Sequence, residues 1–369
     1  MSEREGPQRE RGAVNGILTV ARLEFTLRIR AGRWRWMVAA WFLVLLGITA
    51  LVRTAAGQSN LGFDADTRGA VMFGVVVLVV LALALLVAPA LAAQSVNGDR
   101  ERGTLATLQV TRLRAGEIAV GKLLASWGTA LVFLGLTLPL ALWCYAEGGL
   151  SVLRIVGVYA VTALLLGIVC AISLALSALL ARSTTSGVLA YLTVFALTVG
   201  TVIAWGLLTA VTQDTVRASN QVCEDYTEGD GNTPPTGTNC RQVSYETTVA
   251  RPDRTWWLLA PNPFAVLADS APAGPVRQVR LPDGRTVSEP LEVDVLGGMS
   301  RALHQIRVAP REVANPYGTS FEVPAGVTGG SVWPTGLTID LLLAAGAMWI
   351  TTRRLRTPTD RLARGQRIA

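Results

Sequence analysis

The sequence predicts an all-α polytopic membrane protein: six transmembrane helices, an N-terminal interfacial helix, and an extracytoplasmic loop domain with some β structure between helices five and six. Three observations predict it. Six apolar runs, at 36–52, 69–93, 123–145, 152–180, 186–211 and 333–352, approach or exceed the roughly 20 residues a helix needs to cross hydrocarbon. Basic residues are unevenly divided between the segments joining them. One segment, 212–332, is too long and too mixed to be a connector. Composition agrees, with 51% of 369 residues hydrophobic and only 16% charged. None of the six spans alternates with period two, so a β-barrel is excluded.

Residues 1–13 are polar and charged and read as a disordered tail. No cleavable signal peptide is expected, because the first apolar run is a full span without a small-residue cleavage site. From 14 to 35, Val14, Ile17, Leu18, Ala21 and Phe25 form one helical stripe, with Arg22, Arg28 and Arg30 off it and Glu24–Arg28 as an i, i+4 pair. With Arg33, Trp34, Arg35 and Trp36 following, this is an amphipathic helix in the head-group plane.

Orientation follows from charge. The N-terminal segment holds eight basic residues, the 97–122 loop five and the tail after residue 352 six, against Arg53, Arg68 and Arg154 in the first and third loops of the other side. Both termini, the 97–122 loop and the basic tail 353–369 are therefore cytoplasmic, and 212–332 lies outside, in a bacterial inner membrane. One lysine stands against 32 arginines, and the arginines cluster beside apolar runs rather than along a stripe interleaved with aromatics, so nucleic acid is not the partner; the bilayer is.

Within 212–332, Cys223 and Cys240 flank a Gly/Pro/Thr/Asn-rich stretch, and an oxidising compartment favours a disulfide between them. Two alternating runs around Pro282-Asp283-Gly284-Arg285 predict a hairpin over 276–287. Trp256, Trp257, Leu258 and Leu259, before Pro261-Asn262-Pro263-Phe264, suit the membrane interface, where this part is expected to dip back onto the bilayer surface.

Much chemistry is missing from the sequence. The single histidine, His304, lies in the outer segment and reads as a surface residue; neither a metalloprotease nor a Ser–His intramembrane hydrolase can be assembled around it. Cys144 and Cys170 sit in apolar runs as packing residues. Asp340, about two turns into the last run, snorkels to the outer interface, caps against a neighbour, or lines a path through the membrane. There is no GxxxxGK[ST] phosphate loop, so a pump would draw its energy from another polypeptide.

The stretch 97–122 carries Asp99, Arg100, Glu101, Arg102, Arg112, Arg114, Glu117 and Lys122 between two apolar runs. Charges this dense cannot lie in hydrocarbon. Thr104 can cap a short helix with Leu105 and Leu108 on one face, a shape suited to a groove on a soluble partner; a solvated linker is the alternative.

Pro89, then Glu101-Arg102-Gly103-Thr104-Leu105, Leu108, Gly116-Glu117-Ile118 and Gly121-Lys122 resemble the permease subunit of the ABC type-2 exporter family. Six spans, an N-terminal interfacial helix, cytoplasmic termini and an outer segment between spans five and six are similar to that family's layout. Ala106 stands where the family often has a second acid, and 212–332 is longer than the family's outer segment. The resemblance implies two permeases, as a homodimer or heterodimer, with two cytoplasmic ATPase subunits that hold ATP and Mg. This chain would bind no cofactor and have no catalytic site of its own. It implies coupling to the ATPase through Glu101, Arg102, Gly103, Thr104, Leu105, Leu108, Glu117, Gly121 and Lys122: charge-assisted contacts from Glu101 and Arg102, an apolar face from the leucines, a tight approach at Gly103, and Lys122 anchoring span three at the head groups. Pro89, Gln94 and Asp340 are candidates for a substrate path, with a hydrophobic or amphipathic cargo such as a drug, lipid or metabolite moving outward. The competing readings are a membrane-anchored sensor with an outer ligand-binding domain and an ion-driven carrier; an ATPase that co-purifies with the chain separates the first from them.

Overall fold

The computed structural model describes residues 5–30, 33–57, 68–101, 114–223, 240–272, 274, 276–280, 286–290, 294–315, 318–322 and 328–356. Among them are six helical stretches long and apolar enough to cross a membrane: Trp34–Ala56, Arg68–Glu101, Ala115–Ala146, Val152–Leu179, Ser183–Val211 and Trp333–Leu355, spans one to six. Span two is central, with 61% of its most apolar window buried against 6% for span five. Its helix Arg68–Ala92 is apolar on every side, as a helix surrounded by other helices must be. Phe73, Leu81, Leu85, Phe133, Leu165 and Leu166 make up the heart of the core. Span one joins it through Trp41, whose ring meets Phe133 edge-on at 5.2 Å and whose Nε1 donates to the Phe133 carbonyl at 3.1 Å.

Two boundaries differ from expectation at the N-terminus. The first helix runs from Glu5 to Arg30, so residues 5–13 are helical where a disordered tail is expected. Gln8, Arg9, Glu10 and Arg11 are good helix formers, and extending a helix already nucleated by residues 14–30 costs little. Arg33 to Trp36 belong to the next helix, Arg33–Ala56, rather than to the interfacial one. Span three begins at Ala115, so Glu117 and Lys122 lie in a helix and not in a loop. It breaks between Gly135 and Leu138, because Pro139 has no N–H for the next ladder bond.

The segment between spans five and six has two small sheets. β1 (Gln213–Cys223) pairs antiparallel with β2 (Cys240–Ala250) from Gln213↔Ala250 to Cys223↔Cys240. β3 (Val276–Arg280) pairs with β4 (Thr286–Pro290), the expected hairpin, its turn lying outside the described residues. β5 (Arg311–Asn315) and β6 (Gly318–Glu322) complete the first sheet in the order β2-β1-β6-β5. The two cysteines are thus cross-strand backbone partners; their side chains, and so the expected disulfide, lie outside the described residues.

The tryptophan-rich part goes deeper than a surface. Two short turns, Pro252–Arg254 and Trp256–Leu258, lead to the helix Pro263–Ser270, capped by Asn262, and later to Val295–Gln305. Val266, Leu267, Ala268 and Leu296 belong to the same core as the spans. Gly336 of span six is essential to this packing: a Cβ there would sit 1.9 Å from the Ala260 carbonyl oxygen. Asp269 accepts from the N–H groups of Val332 (2.6 Å) and Trp333 (2.8 Å) and from Ser300 Oγ (2.9 Å), so it caps span six from another helix. His304 Nε2 lies 2.6 Å from its Oδ1, which corrects the reading of His304 as a plain surface residue. Asp340 does not snorkel either. It shares the buried face of Gly336, Ala347 and Thr351, is 2% exposed, and neither carboxylate oxygen has a hydrogen-bond partner among the described residues.

Candidate functional site

The charged stretch after span two forms a knot at one end of the bundle. Span two ends in a turn, where Ala93 N–H donates to the Pro89 carbonyl (2.8 Å), and resumes as the short helix Asn97–Glu101. Asn97 is fully buried. Its backbone N–H and that of Val96 both donate to Ser177 Oγ of span four at 3.2 Å. Its Nδ2 donates to Ser186 Oγ of span five (3.2 Å), and Ser186 Oγ donates to the Ala93 carbonyl (2.7 Å).

The next charges engage helix ends. Arg100 reaches the carbonyls of Ala178 and Leu180, both at 3.4 Å, at the C-terminus of span four, where unpaired carbonyls concentrate negative potential. Glu101 Oε1 accepts from the backbone N–H of Ser183 (3.2 Å), the first residue of span five, where the potential is positive. Two adjacent residues of opposite charge therefore clamp the 180–183 turn from its two sides, each matched to the helix terminus it meets. Glu101, read from the sequence as a partner contact, already has this one within the chain.

Lys122 is the only lysine in the chain and is fully buried. Its three protons meet three acceptors: the carboxylates of Glu24 and Asp99 and the Ser95 carbonyl, the last at 3.0 Å. Arg28, 3.5 Å from Glu24, balances the group at two positive and two negative charges. Contrary to the expectation, Lys122 does not anchor span three at the head groups; a buried ammonium is tenable only with such partners, and they draw it inward. Gly121 serves the same contact. A Cβ there would lie 2.7 Å from Val20 Cβ and 3.1 Å from the Ile17 carbonyl, so only glycine lets the N-terminal helix approach closely enough for Glu24 to reach Lys122. Behind the charges, Val96, Ile118, Ala119, Leu174, Ala178 and Leu355 make an apolar floor that includes the end of span six. Glu117 accepts from the Arg114 N–H (3.2 Å), one half of a capping box at the start of span three.

The knot thus joins spans two, three, four and five and the N-terminal helix. Arg102, Gly103, Thr104, Leu105 and Leu108 lie in 102–113, outside the described residues. Pro89, Gln94 and Asp340 are not brought together. Pro89 is buried about 30 Å along span two from Arg68, and Gln94 is exposed beyond it, whereas Asp340 is only about 10 Å into span six from the opposite end. Asn97, Ser95 and Glu24 were not legible as site residues. The one signal in the sequence was Lys122 itself, a solitary lysine where every other base is arginine.

The family described as "ABC-2 family transporter protein" matches the chain over residues 18–244, more than half of it, from within the N-terminal helix into the second strand of the first pair. A comparison with curated proteins gives no match.

Proposed function

The chain belongs to the ABC-2 transporter family, whose membrane permeases work with a separate ABC ATPase, and from that premise we propose that it is the permease of an exporter in a bacterial inner membrane. The segment 102–113 docks on the ATPase, and the knot at 93–101 passes the ATPase's closing motion to the spans. The observation that carries this reading is the paired clamp of Arg100 and Glu101 on the ends of spans four and five, next to the docking segment. Two ATPase subunits hold ATP and Mg, and two permeases, identical or related, pair in the membrane.

The basic ends of the spans support a cytoplasmic location for both termini and the knot and an outer one for 212–332, and the cross-strand pairing of Cys223 with Cys240 supports a disulfide between them there. The cargo is hydrophobic or amphipathic. Of the three path candidates, Asp340 has the best support, since a buried carboxylate without a partner among the described residues is otherwise an unrelieved cost.

Inside-out vesicles bearing the chain and its ATPase test this. ATP-dependent accumulation of a lipophilic dye is expected, with Glu101→Lys and Gly103→Trp inserting normally but transporting nothing. Normal transport by both variants, or accumulation that follows the proton gradient and ignores ATP, overturns the proposal.

A further inference from the structure

The two ends of the bundle treat their arginines differently. Toward the 212–332 segment, Arg53 Nε lies 2.8 Å and Arg68 Nη1 3.7 Å from the Glu147 carboxylate, and Arg154 is paired with Asp294. At the knot end, Arg28 meets Glu24 and Arg100 meets the carbonyls of span four. Arg353 and Arg356, where span six ends, are exposed, and neither guanidinium has a hydrogen bond or ion pair among the described residues. The stretch after them, 357–369, adds Arg361, Arg364 and Arg367 against one acid, Asp360, so it brings more positive charge than negative.

These two arginines continue an apolar stripe. Leu342, Gly346, Trp349, Arg353 and Arg356 follow one another at spacings of four and three, on one face of the helix Trp333–Leu355 and its cap. Leu342 and Trp349 are exposed, and a Cβ on Gly346 would meet nothing within 4 Å, so the surface between them is open. Arg353 Cζ sits 3.9 Å over the centroid of the Trp349 ring. Stacked in this way, the guanidinium is held in place while its N–H edge stays available to another partner. A different face of the same helix end, through Met348 and Leu355, packs on the apolar floor of the knot.

We propose that this stripe binds an anionic phospholipid, with its phosphate on Arg353 and Arg356 and an acyl chain over Gly346 between Leu342 and Trp349. The dimensions agree. Gly346 lies roughly 10 Å along the helix from Arg353, which puts the arginines among head groups, the tryptophan at the interface and the glycine in hydrocarbon. Guanidinium groups donate to phosphate oxygens in parallel pairs of hydrogen bonds. A zwitterionic head group carries its own cation, so two unpaired arginines favour a lipid of net negative charge. A second copy of the chain does not fit here, because a two-fold axis along the membrane normal would set like charges against each other. The bound lipid steadies the end of span six that packs on the knot. The inference rests on the spans crossing a bilayer and is independent of the ATPase partner, of cargo and of direction.

The test uses the full chain in phosphatidylcholine nanodiscs with two photoactivatable probes, a phosphatidylglycerol and a phosphatidylcholine bearing the same diazirine on the same acyl chain. Cross-linked peptides are mapped by mass spectrometry. The phosphatidylglycerol probe is expected to label 342–349 more than the phosphatidylcholine probe, by about fivefold for each arginine engaged. Arg353→Gln with Arg356→Gln should remove that preference, whereas Arg22→Gln, at another exposed arginine, should leave it. Gly346→Trp keeps both arginines and fills the open gap, and is expected to lower labelling there even if the double variant misassembles. Millimolar glycerol 3-phosphate should not compete; competition would make a soluble phosphate the ligand and overturn the lipid assignment. Equal labelling by the two probes, a preference that survives the double variant, or one lost equally in Arg22→Gln also overturns it. Failure of ATP-driven transport leaves this readout untouched, so the two proposals fail separately.

Discussion

Arg154, at the start of span four, and Asp294, at the N-terminus of the helix Val295–Gln305, form a buried ion pair 140 residues apart in sequence. Arg154 Nη2 lies 2.7 Å from each oxygen of the Asp294 carboxylate, and both side chains are 2% exposed. The pair pins the 212–332 segment to the bundle.

Removing one member should therefore be severe. Arg154→Ala leaves a buried carboxylate uncompensated and is expected to cost about 3–5 kcal/mol, whereas Arg154→Met with Asp294→Leu recovers most of it. Limited proteolysis of 212–332 in nanodiscs reads this: rapid cleavage in the single variant and near-native resistance in the double. Equal resistance in all three would show that the pair holds nothing.

Lys122 obeys the same logic at the other end. Lys122→Met removes the buried ammonium that Glu24 and Asp99 share and is expected to cost about 3–5 kcal/mol of stability, read as a lower melting temperature. Adding Glu24→Gln and Asp99→Asn should restore much of the loss, as monitored by thermal unfolding in detergent. No rescue would mean that the lysine acts by shape and not by charge.

Glu101 separates a structural role from a docking one. Glu101→Gln keeps an oxygen for the Ser183 N–H, so the chain's stability is expected to change by less than about 1 kcal/mol. Arg100 remains seated on span four. If Glu101 also meets the ATPase through its charge, ATPase capture by the purified variant falls while its melting temperature stays. Unchanged capture confines Glu101 to its intramolecular contact.

A pH response is expected where span five gives way to the β1–β2 ladder. Arg251 donates from Nε to Asp253 Oδ1 (2.8 Å) and from Nη2 to Oδ2 (2.9 Å), and it also reaches Asp214. This holds the Asp253 carboxyl below its ordinary 3.8 and raises Arg251 above its own range. A depressed carboxylate stabilises fully above its ordinary value and loses that contribution as pH falls through the folded value. Hydrogen exchange in 240–250 should thus be flat from pH 7 to 5 and rise, after correction for intrinsic rates, only below about 3.8; Asp253→Asn should abolish that rise. A rise already complete by pH 5 would assign the response to other groups.

What the sequence determined by itself is whatever local chemistry dictates. Six spans are legible because hydrocarbon imposes a length and an apolar composition on any helix that crosses it, and the pairing of β3 with β4 because Pro-Asp-Gly-Arg between two alternating runs is a strong hairpin signal. The family resemblance could be read from the letters of 101–122, but not the contacts around them. Lys122 looked like a head-group anchor, since a lysine near a span end usually is one. Only the tertiary arrangement decided otherwise, by bringing Glu24 and Asp99 to it from 98 and 23 residues away. The same holds for Arg100 and Glu101 on the ends of spans four and five, for Asp269 on the start of span six, and for Arg154 with Asp294. A charge at a membrane boundary is free to face water until the fold supplies a partner, and which helix ends lie side by side is a property of packing that no single stretch of the chain contains.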